Sequence, residues 1–299
     1  MNLLLLEDDE LGKPIPYNDP RARHVREVLR ARPGDTLAVG VVEGGKGVAR
    51  IVDHSREAGL VLGDIHPGPG ANPATAPVGA STRRRLDRES PDVFYPVTML
   101  IGHVRPIVLK RLLKDLTTIG VERIMVVPGE LGEKSYLESS MWSDGTVRRR
   151  LVEGAAQGGV TCLPTVDTHY SLRRALAVLE GHAAVADRAT DTDGAPDRGG
   201  RIAGGYGRVQ RLYLTPAGTP AAEVVATAVS EGSRRGSAGN PPERFIIAVG
   251  PERGFTPGEE ARLDAAGFAA VSLGRRILRT ETAAVLAAGM VSRIFVSVP

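Results

Sequence analysis

The sequence predicts an α/β protein in which a parallel-sheet domain follows a small β-rich one, and three observations carry this. From Pro96 onward, apolar runs of strand length alternate with amphipathic stretches of helix length, the pattern of a parallel sheet covered by helices. Before residue 66 the apolar runs are short and meet across Glu43-Gly44-Gly45-Lys46-Gly47, a glycine-rich hairpin turn. Between the two lies a Pro/Gly/Ala segment without periodicity, from His66 to Pro91, which has the composition of a linker. The expected boundaries are 1–66 for the β-rich domain, 67–93 for the linker and 94–299 for the α/β domain.

Each element has its own signal. Arg21 to Arg30 reads as a helix with a basic face. The hairpin strands are Leu37–Val42 and Val48–Val52. In the second domain Val97–Gly102 is a strand, and Ile107 to Thr118 is a helix with Val108, Leu112, Leu116 and Ile119 apolar and Lys110, Arg111 and Lys114 facing elsewhere. Arg123–Val127 is the next strand and Ser139 to Gln157 the next helical region. Further strands fit Leu163–Val166, Leu212–Leu214, Phe245–Val249 and Ala270–Leu273. Polar, Gly-rich stretches near 187–208 and 233–242 have nothing to bury and read as mobile insertions.

Composition bounds the function. At 299 residues with a formal charge of +3 and a pI near 9.2, the chain is mildly basic, and Arg greatly outnumbers Lys. Guanidinium suits phosphate and base edges better than ammonium does. The single Cys162 excludes intramolecular disulfides and cysteine metal clusters. The six histidines are scattered singly, so no metal site is expected. Leu3 to Leu6 are followed at once by Glu7-Asp8-Asp9-Glu10, so no secretory signal is expected, and no apolar run reaches membrane-span length. The expectation is a soluble cytoplasmic protein with no membrane partner.

Two C-terminal loops hold the chemistry. The Phe245–Val249 strand ends in Gly250-Pro251-Glu252-Arg253-Gly254-Phe255, after which Thr256, Pro257 and Glu259 give an N-cap, a first-turn proline and a capping box. The Ala270–Leu273 strand ends in Gly274-Arg275-Arg276-Ile277-Leu278-Arg279, and an Ala-rich helix starts at Thr280-Glu281-Thr282. A strand running through a glycine loop into a helix presents bare backbone to a ligand. Two successive strands therefore empty glycine loops at one sheet edge.

Rival chemistries fail on spacing. Gly40 to Gly47 approaches a phosphate-binding loop, but Gly47 stands where Ser or Thr would hold Mg²⁺, and a strand follows where a helix is needed. Neither a strand-terminal Gly-x-Gly-x-x-Gly nor a Gly-x-Ser-x-Gly elbow is present.

The two loops, with their Gly-Pro-Glu-x-Gly-Phe and Leu-Gly-x-x-Ile-Leu-Arg-Thr-Glu-Thr-Ala patterns, resemble the SPOUT class of RNA methyltransferases and, within it, the RsmE family. The resemblance reaches His24-Val25-Arg26-Glu27-Val28-Leu29-Arg30 with Pro33-Gly34-Asp35, Leu116 to Val121, and Glu153-Gly154-Ala155-Ala156-Gln157. Arg253, Thr118 and Gly154 depart from the family's Gly, Glu and Ala. The resemblance implies methylation of uridine N3 in small-subunit (16S) ribosomal RNA with S-adenosyl-L-methionine as cofactor. It also implies a C-terminal trefoil knot, a homodimer, a PUA-like RNA-binding domain at 1–66, and ribosomal RNA or the small subunit as partner. The cofactor would be held by Leu214, Gly250, Glu252, Gly254, Leu273, Gly274, Ile277 and Leu278. RNA would be held by Arg21, His24, Arg26, Arg30 and Lys134. Arg279 is the candidate to stabilise charge on the uracil, and Glu281 or Glu252 to take its proton, although either carboxylate could equally cap a helix. The departures leave open a different base or ribose hydroxyl as target, and a non-catalytic RNA-binding homologue is the remaining alternative.

Overall fold

The computed structural model describes residues 2–67, 94–188, 209–234 and 244–296. The linker expected at 67–93 lies outside the described residues apart from Pro67, which ends a strand. The insertions expected near 187–208 and 233–242 also lie outside them, except for residues 187–188 and 233–234, which end helices. The chain divides into two compact units, Met1–Val93 with Arg149–Leu163, and Phe94–Arg148 with Pro164–Pro299.

The first unit is built on a four-stranded sheet in the order β1 (Leu4–Leu6), β2 (Thr36–Val41), β3 (Lys46–Asp53), β4 (Val61–Pro67). β1 pairs parallel with β2, and the other neighbours are antiparallel. Alternation sends Leu4, Leu6, Val39, Val41, Ala49 and Ile51 into one core with Ala22 and Val25. The opposite face of β1 is also apolar, and Leu3 and Leu5 pack on Ala155 and Ala156. This second face is why Arg149–Leu163, expected in the α/β domain, groups with the N-terminal unit. Helix α1 (Pro20–Arg23) starts at an Asp19 cap and continues as a π-helical turn, His24–Val28. It stops short of the predicted Arg30, which adopts a left-handed φ of 52°.

The second unit is a six-stranded, wholly parallel sheet. Its strands are β5 (Tyr95–Gly102), β6 (Val121–Val127), β7 (Thr165–Thr168), β8 (Val209–Pro220), β9 (Arg244–Val249) and β10 (Ala269–Ser272), in the order β10-β8-β9-β5-β6-β7. β7 begins two residues later than predicted, after Pro164, which has no N–H to offer a ladder. The unit's helices are α2 (Pro106–Ile119), α4 (Leu172–Arg188), α5 (Ala221–Arg234), α6 (Pro257–Ala265) and α7 (Thr280–Val296), while α3 (Thr146–Gly158) starts in this unit and runs from Arg149 onward in the first. β5 and β9 are buried along almost their whole length, as strands covered on both faces must be. One face packs Leu100, Met125, Ile246 and Ala248 against Leu172, Leu176 and Leu179 of α4 and Leu263 of α6. α7 packs against α2, β5 and β9; its Phe295 ring lies 6.3 Å from Tyr95 and 6.0 Å from Phe245. The apolar stripe of α2 is Leu109, Leu112, Leu113 and Leu116, while the predicted Val108 and Ile119 are only half-buried. Helices α4 and α5 escaped the sequence reading.

β9 and β10 follow one another in the chain but are not neighbours in the sheet, because β8 runs between them. Their loops still leave the same edge, since every strand is parallel. Strand order also reverses here, with β6 and β7 to one side of β5 and β8 to β10 on the other. The C-terminal ends of β5 and β9 therefore flank the switch point where such sheets bind ligands.

Candidate active site

Backbone close to backbone defines this edge. A Cβ added to Gly102, at the end of β5, would lie 2.3 Å from Pro251. One on Gly250 would lie 2.8 Å from Gly254, and one on Gly129 2.7 Å from Pro251. β8 leaves β10 after Tyr213 and Ala270 and rejoins it at Thr219 and Val271, which throws Leu214–Gly218 out of the β10 ladder. Gly218 then approaches Val271 so closely that a Cβ would come within 2.5 Å of its backbone. Gly254 and Gly274 differ: their φ values of +74° and +129° demand glycine, and a Cβ there meets nothing within 4 Å. Open space thus adjoins both loops, and the residues present fit a ligand read by backbone.

Hydrogen bonds hold the loops in register. The Gly254 N–H donates to the Pro251 carbonyl at 2.8 Å, closing the first loop as a turn. Thr256 and Glu259 form the predicted capping box at the start of α6. Glu259 is buried and also accepts the Glu130 N–H at 2.9 Å, tying the β6–α3 connection to the cap. Glu130 accepts from Thr256 Oγ1 at 2.7 Å and Arg262 at 2.5 Å, and these bonds hold its carboxyl below the usual range. In the second loop the Gly274 N–H donates to Ser272 Oγ at 3.2 Å. Thr280 Oγ1 donates to the Gly250 carbonyl at 3.1 Å, joining the two loops directly.

The residues predicted to hold the cofactor lie on these two loops or next to them in the chain and the sheet. Leu214 lies where β8 leaves β10; Gly250, Glu252 and Gly254 form the first loop; Leu273, Gly274, Ile277 and Leu278 form the second. Ile277 is 90% exposed, an unusual state for an isoleucine in an otherwise packed unit. Glu252 has a structural partner: its carboxylate accepts the Arg105 N–H at 3.0 Å, at the N-terminus of α2. A carboxylate is favoured there by the unpaired N–H groups and the helix dipole. Arg253, Arg275, Arg276 and Arg279 are exposed, and none forms an ion pair among the described residues. Glu281 lies in the first turn of α7. Among the described residues no metal-binding cluster occurs.

The residues predicted to meet RNA are disposed differently. All five N–H donors of the Arg21 guanidinium are engaged within its unit, by Asp19, Glu10 and the Leu5 carbonyl at 2.6–3.0 Å. Its hydrogen bond lowers the Glu10 pKa. Burial raises that of Asp19, and hydrogen bonds to Arg21 more than reverse the effect. Arg21 is a clasp, with no donor left for phosphate while the clasp is closed. Arg26 lies 3.7 Å over the Tyr17 ring and donates to the Tyr17 carbonyl at 3.0 Å. His24 is half-buried, and burial pulls its pKa down. Arg30 is exposed. Lys134 starts a short 3-10 turn, Lys134–Glu138, and its side chain lies outside the described residues.

Three features of the edge were missed by sequence reasoning. Gly102 repeats the Gly250 signal, a glycine closing an apolar strand, and was open to the same reasoning. Thr280 was legible as a helix start but not as a bridge between loops. His103 follows Gly102 and is 1% exposed; a lone histidine gives no sequence signal.

A wholly parallel α/β sheet with interlocked glycine loops at its switch point, rimmed by guanidinium groups that form no ion pair among the described residues, defines a class of enzyme that holds a small cofactor against an anionic substrate. Comparison with known proteins gives that class a family. The family model for the RNA methyltransferase domain matches residues 91–196 and 213–292. The ribosomal RNA small subunit methyltransferase E of Treponema pallidum is 30% identical over 294 residues, covering 97% of this chain and 90% of that one. That of Borreliella burgdorferi, methyltransferase E 1, is 26% identical over 287 residues, covering 96% and 95%. The fold is similar to that of the crystal structure of the Neisseria gonorrhoeae methyltransferase E bound to S-adenosyl methionine, with a TM-score of 0.54, 20% identity and 98% of each chain covered. The chain belongs to the ribosomal RNA small subunit methyltransferase E family of RNA methyltransferases.

Proposed function

We propose that this protein transfers a methyl group from S-adenosyl-L-methionine to N3 of a uridine in small-subunit ribosomal RNA. The observation that carries this reading is the meeting of the Gly250 and Gly274 loops, joined by Thr280, beside four exposed arginines that form no ion pair among the described residues. The cofactor when bound supplies an electrophilic methyl group. Backbone of Gly250, Gly254 and Gly274 with Leu214, Leu273, Ile277 and Leu278 would hold it, and Glu252 would fix the first loop through Arg105. Holding two reactants in attack geometry removes several kcal/mol of barrier by orientation alone. Uracil N3 becomes nucleophilic as its proton leaves, and the Arg279 guanidinium would stabilise the negative charge that spreads over the flanking carbonyls. With Glu252 engaged at α2, Glu281 is the carboxylate left at this lip.

The finer architecture belongs to the same proposal. β10 lies outside β8, yet α7 returns to pack on β5 and β9, which supports a SPOUT-type trefoil knot closed by the Gly274–Arg279 loop. The mixed sheet of the first unit supports a PUA-like RNA-binding domain in which exposed Arg30 contacts phosphate, with His24, Arg26 and Arg21 shaping the helix; Lys134 is a separate RNA-contact candidate of the second unit. Exposed Leu286 and Val296 on α7 support a homodimer. No helix of the described residues is long and apolar enough to cross a membrane, which accords with a cytoplasmic enzyme acting on ribosomes.

Arg253 favours one second reading, a different base or a ribose hydroxyl, because this departure alone lies on the cofactor loop. Thr118 bonds back to the Lys114 carbonyl on α2. The test is digestion of small-subunit RNA after incubation with the protein and cofactor, followed by mass spectrometry. N3-methyluridine is expected; a methyl group on another base or on ribose replaces the reading.

A further inference from the structure

We propose that His103 is the proton acceptor for the target base, with Trp142 and Tyr136 forming the rest of a pocket for the uracil imide edge; this rests on the uridine-N3 reading above. His103 leaves β5 at the switch point, between two residues that touch the cofactor loop. Gly102 abuts Pro251, and the Arg105 N–H donates to Glu252. The His103 N–H is bonded to the Val127 carbonyl at 2.6 Å, which fixes the backbone. Its Nδ1 lies 2.8 Å from the Val104 carbonyl. A carbonyl only accepts, so Nδ1 carries the proton and Nε2 presents a lone pair. That Nε2 is buried and has no hydrogen-bond partner among the described residues.

The neighbouring orphan has the opposite polarity. The Trp142 ring stands edge-on to His103 at 5.7 Å, and its Nε1–H, which can only donate, is also buried with no partner among the described residues. Tyr136 lies 5.7 Å from the same imidazole at a tilt of 38°. An unmet acceptor and an unmet donor in one aromatic cluster are costly to bury. Uracil N3–H with an adjacent carbonyl is the complementary pair: N3–H donates to Nε2, and the carbonyl accepts from Trp142. Cytosine offers a lone pair at N3 and fails the match.

Tyr136 and Trp142 belong to two short 3-10 turns, Lys134–Glu138 and Ser140–Trp142. Such turns have weaker hydrogen-bond geometry than an α-helix, and their displacement would admit a base flipped from its RNA stack. In the reaction the N3–H bond breaks and its proton passes to Nε2, leaving the electron pair on N3. That pair forms the N–CH₃ bond as the C–S bond breaks, and its electrons leave with sulfur as a neutral thioether. His103 then releases the proton to solvent. An imidazole, ordinarily near 6.5, is a better match to a weakly acidic imide than a carboxylate near 4.3. Burial lowers the His103 pKa, while the carbonyl of Val104 and the charge of Glu252 oppose that shift, so the ring is neutral and ready to accept at neutral pH. The charged and titratable groups facing it are Glu252 from the first loop and the Tyr136 phenol.

The test uses His103→Gln and Trp142→Phe in the full chain, with methylation read in single turnover between pH 5 and 9. His103→Gln should lose ~10² or more in rate at pH 7 and lose the acid limb of the wild-type pH profile. Calorimetric affinity for S-adenosylmethionine and melting temperature should stay near wild type. Trp142→Phe should lose ~10-fold or more and keep the limb. Independently of turnover, the ¹⁵N resonance of His103 Nε2 should move on adding a uridine hexanucleotide and stay still with the cytidine hexanucleotide. A His103→Gln rate within threefold of wild type with its acid limb intact overturns the proposal, as does a rate loss matched by lost cofactor binding, or an unmoved Nε2 resonance. If wild-type product carries its methyl elsewhere than N3, the underlying reading fails instead, and product analysis separates the two.

Discussion

Thr280 and Gly250 lie thirty positions apart in the chain and meet in a buried hydrogen bond of 3.1 Å from Oγ1 to the carbonyl oxygen. This bond joins the loop after β9 to the start of α7. Thr280→Val keeps the shape and leaves a buried carbonyl unsatisfied, which costs about 1–3 kcal/mol. Urea denaturation should show that loss, and cofactor affinity should fall with it. Unchanged stability would mean that the loops are held by packing alone.

Two kinds of glycine at this edge should respond oppositely to alanine. Gly102→Ala places a methyl 2.3 Å from Pro251, and core overpacking costs about 1–3 kcal/mol or more. Gly274→Ala meets no neighbour but forces alanine to a φ of +129°, a strain of about 1–3 kcal/mol confined to the second loop. Hydrogen exchange should show protection lost along β5 and β9 in the first variant, and in the Gly274–Arg279 loop alone in the second.

Arg279→Lys keeps the charge and loses the planar fork. If Arg279 stabilises charge on the base, single-turnover methylation falls by ~10² or more while calorimetric cofactor affinity holds. Loss of affinity and stability together would assign Arg279 to loop structure.

Arg21 and Arg30 should separate stability from docking. Arg21→Met strands Glu10 and Asp19 and should cost about 1–3 kcal/mol in denaturation, with most of the RNA salt dependence retained. Arg30→Ala should leave stability nearly unchanged and lower the log–log salt slope of RNA binding by about one unit. Equal effects of the two variants on the salt slope would return Arg21 to the RNA surface.

Acid should weaken the fold through its buried and half-buried imidazoles. Burial lowers the pKa of His103, His24 and His169, so the unfolded chain binds more protons in the window just below about pH 6.5. Their contribution is fully present above that value and is lost as pH falls through the folded pKa values. Denaturation curves at pH 5 and pH 7.5 should show the drop, and His103→Gln should reduce it.

Much of this molecule was legible in one dimension. The hairpin across Gly44 and Gly45, the strands β5, β6 and β9, and the capping box of Thr256 and Glu259 follow from local pattern and turn chemistry. The two glycine loops were found for the same reason, since strand, glycine and cap are adjacent in sequence. Helices α4 and α5 were missed because each runs into a polar, Gly-rich stretch that blurs its helical period, and the stripe of α2 was set one residue out of phase because Val108 and Ile119 are apolar but peripheral.

What sequence alone determined was the set of backbone devices: where chains must turn, which runs bury both faces, and which loops expose peptide groups. Tertiary structure decided who meets whom. Strand order put β8 between β9 and β10, brought Gly102 against Pro251, and gave Glu252 to α2 rather than to its own loop. It also closed Arg21 in a clasp that a basic helix face does not reveal, and buried His103 beside Trp142 with complementary atoms unmet. The physical reason is range: propensity, caps and periodicity act within one or two turns of chain, whereas burial and long-range hydrogen bonds join residues only once the sheet has chosen its order.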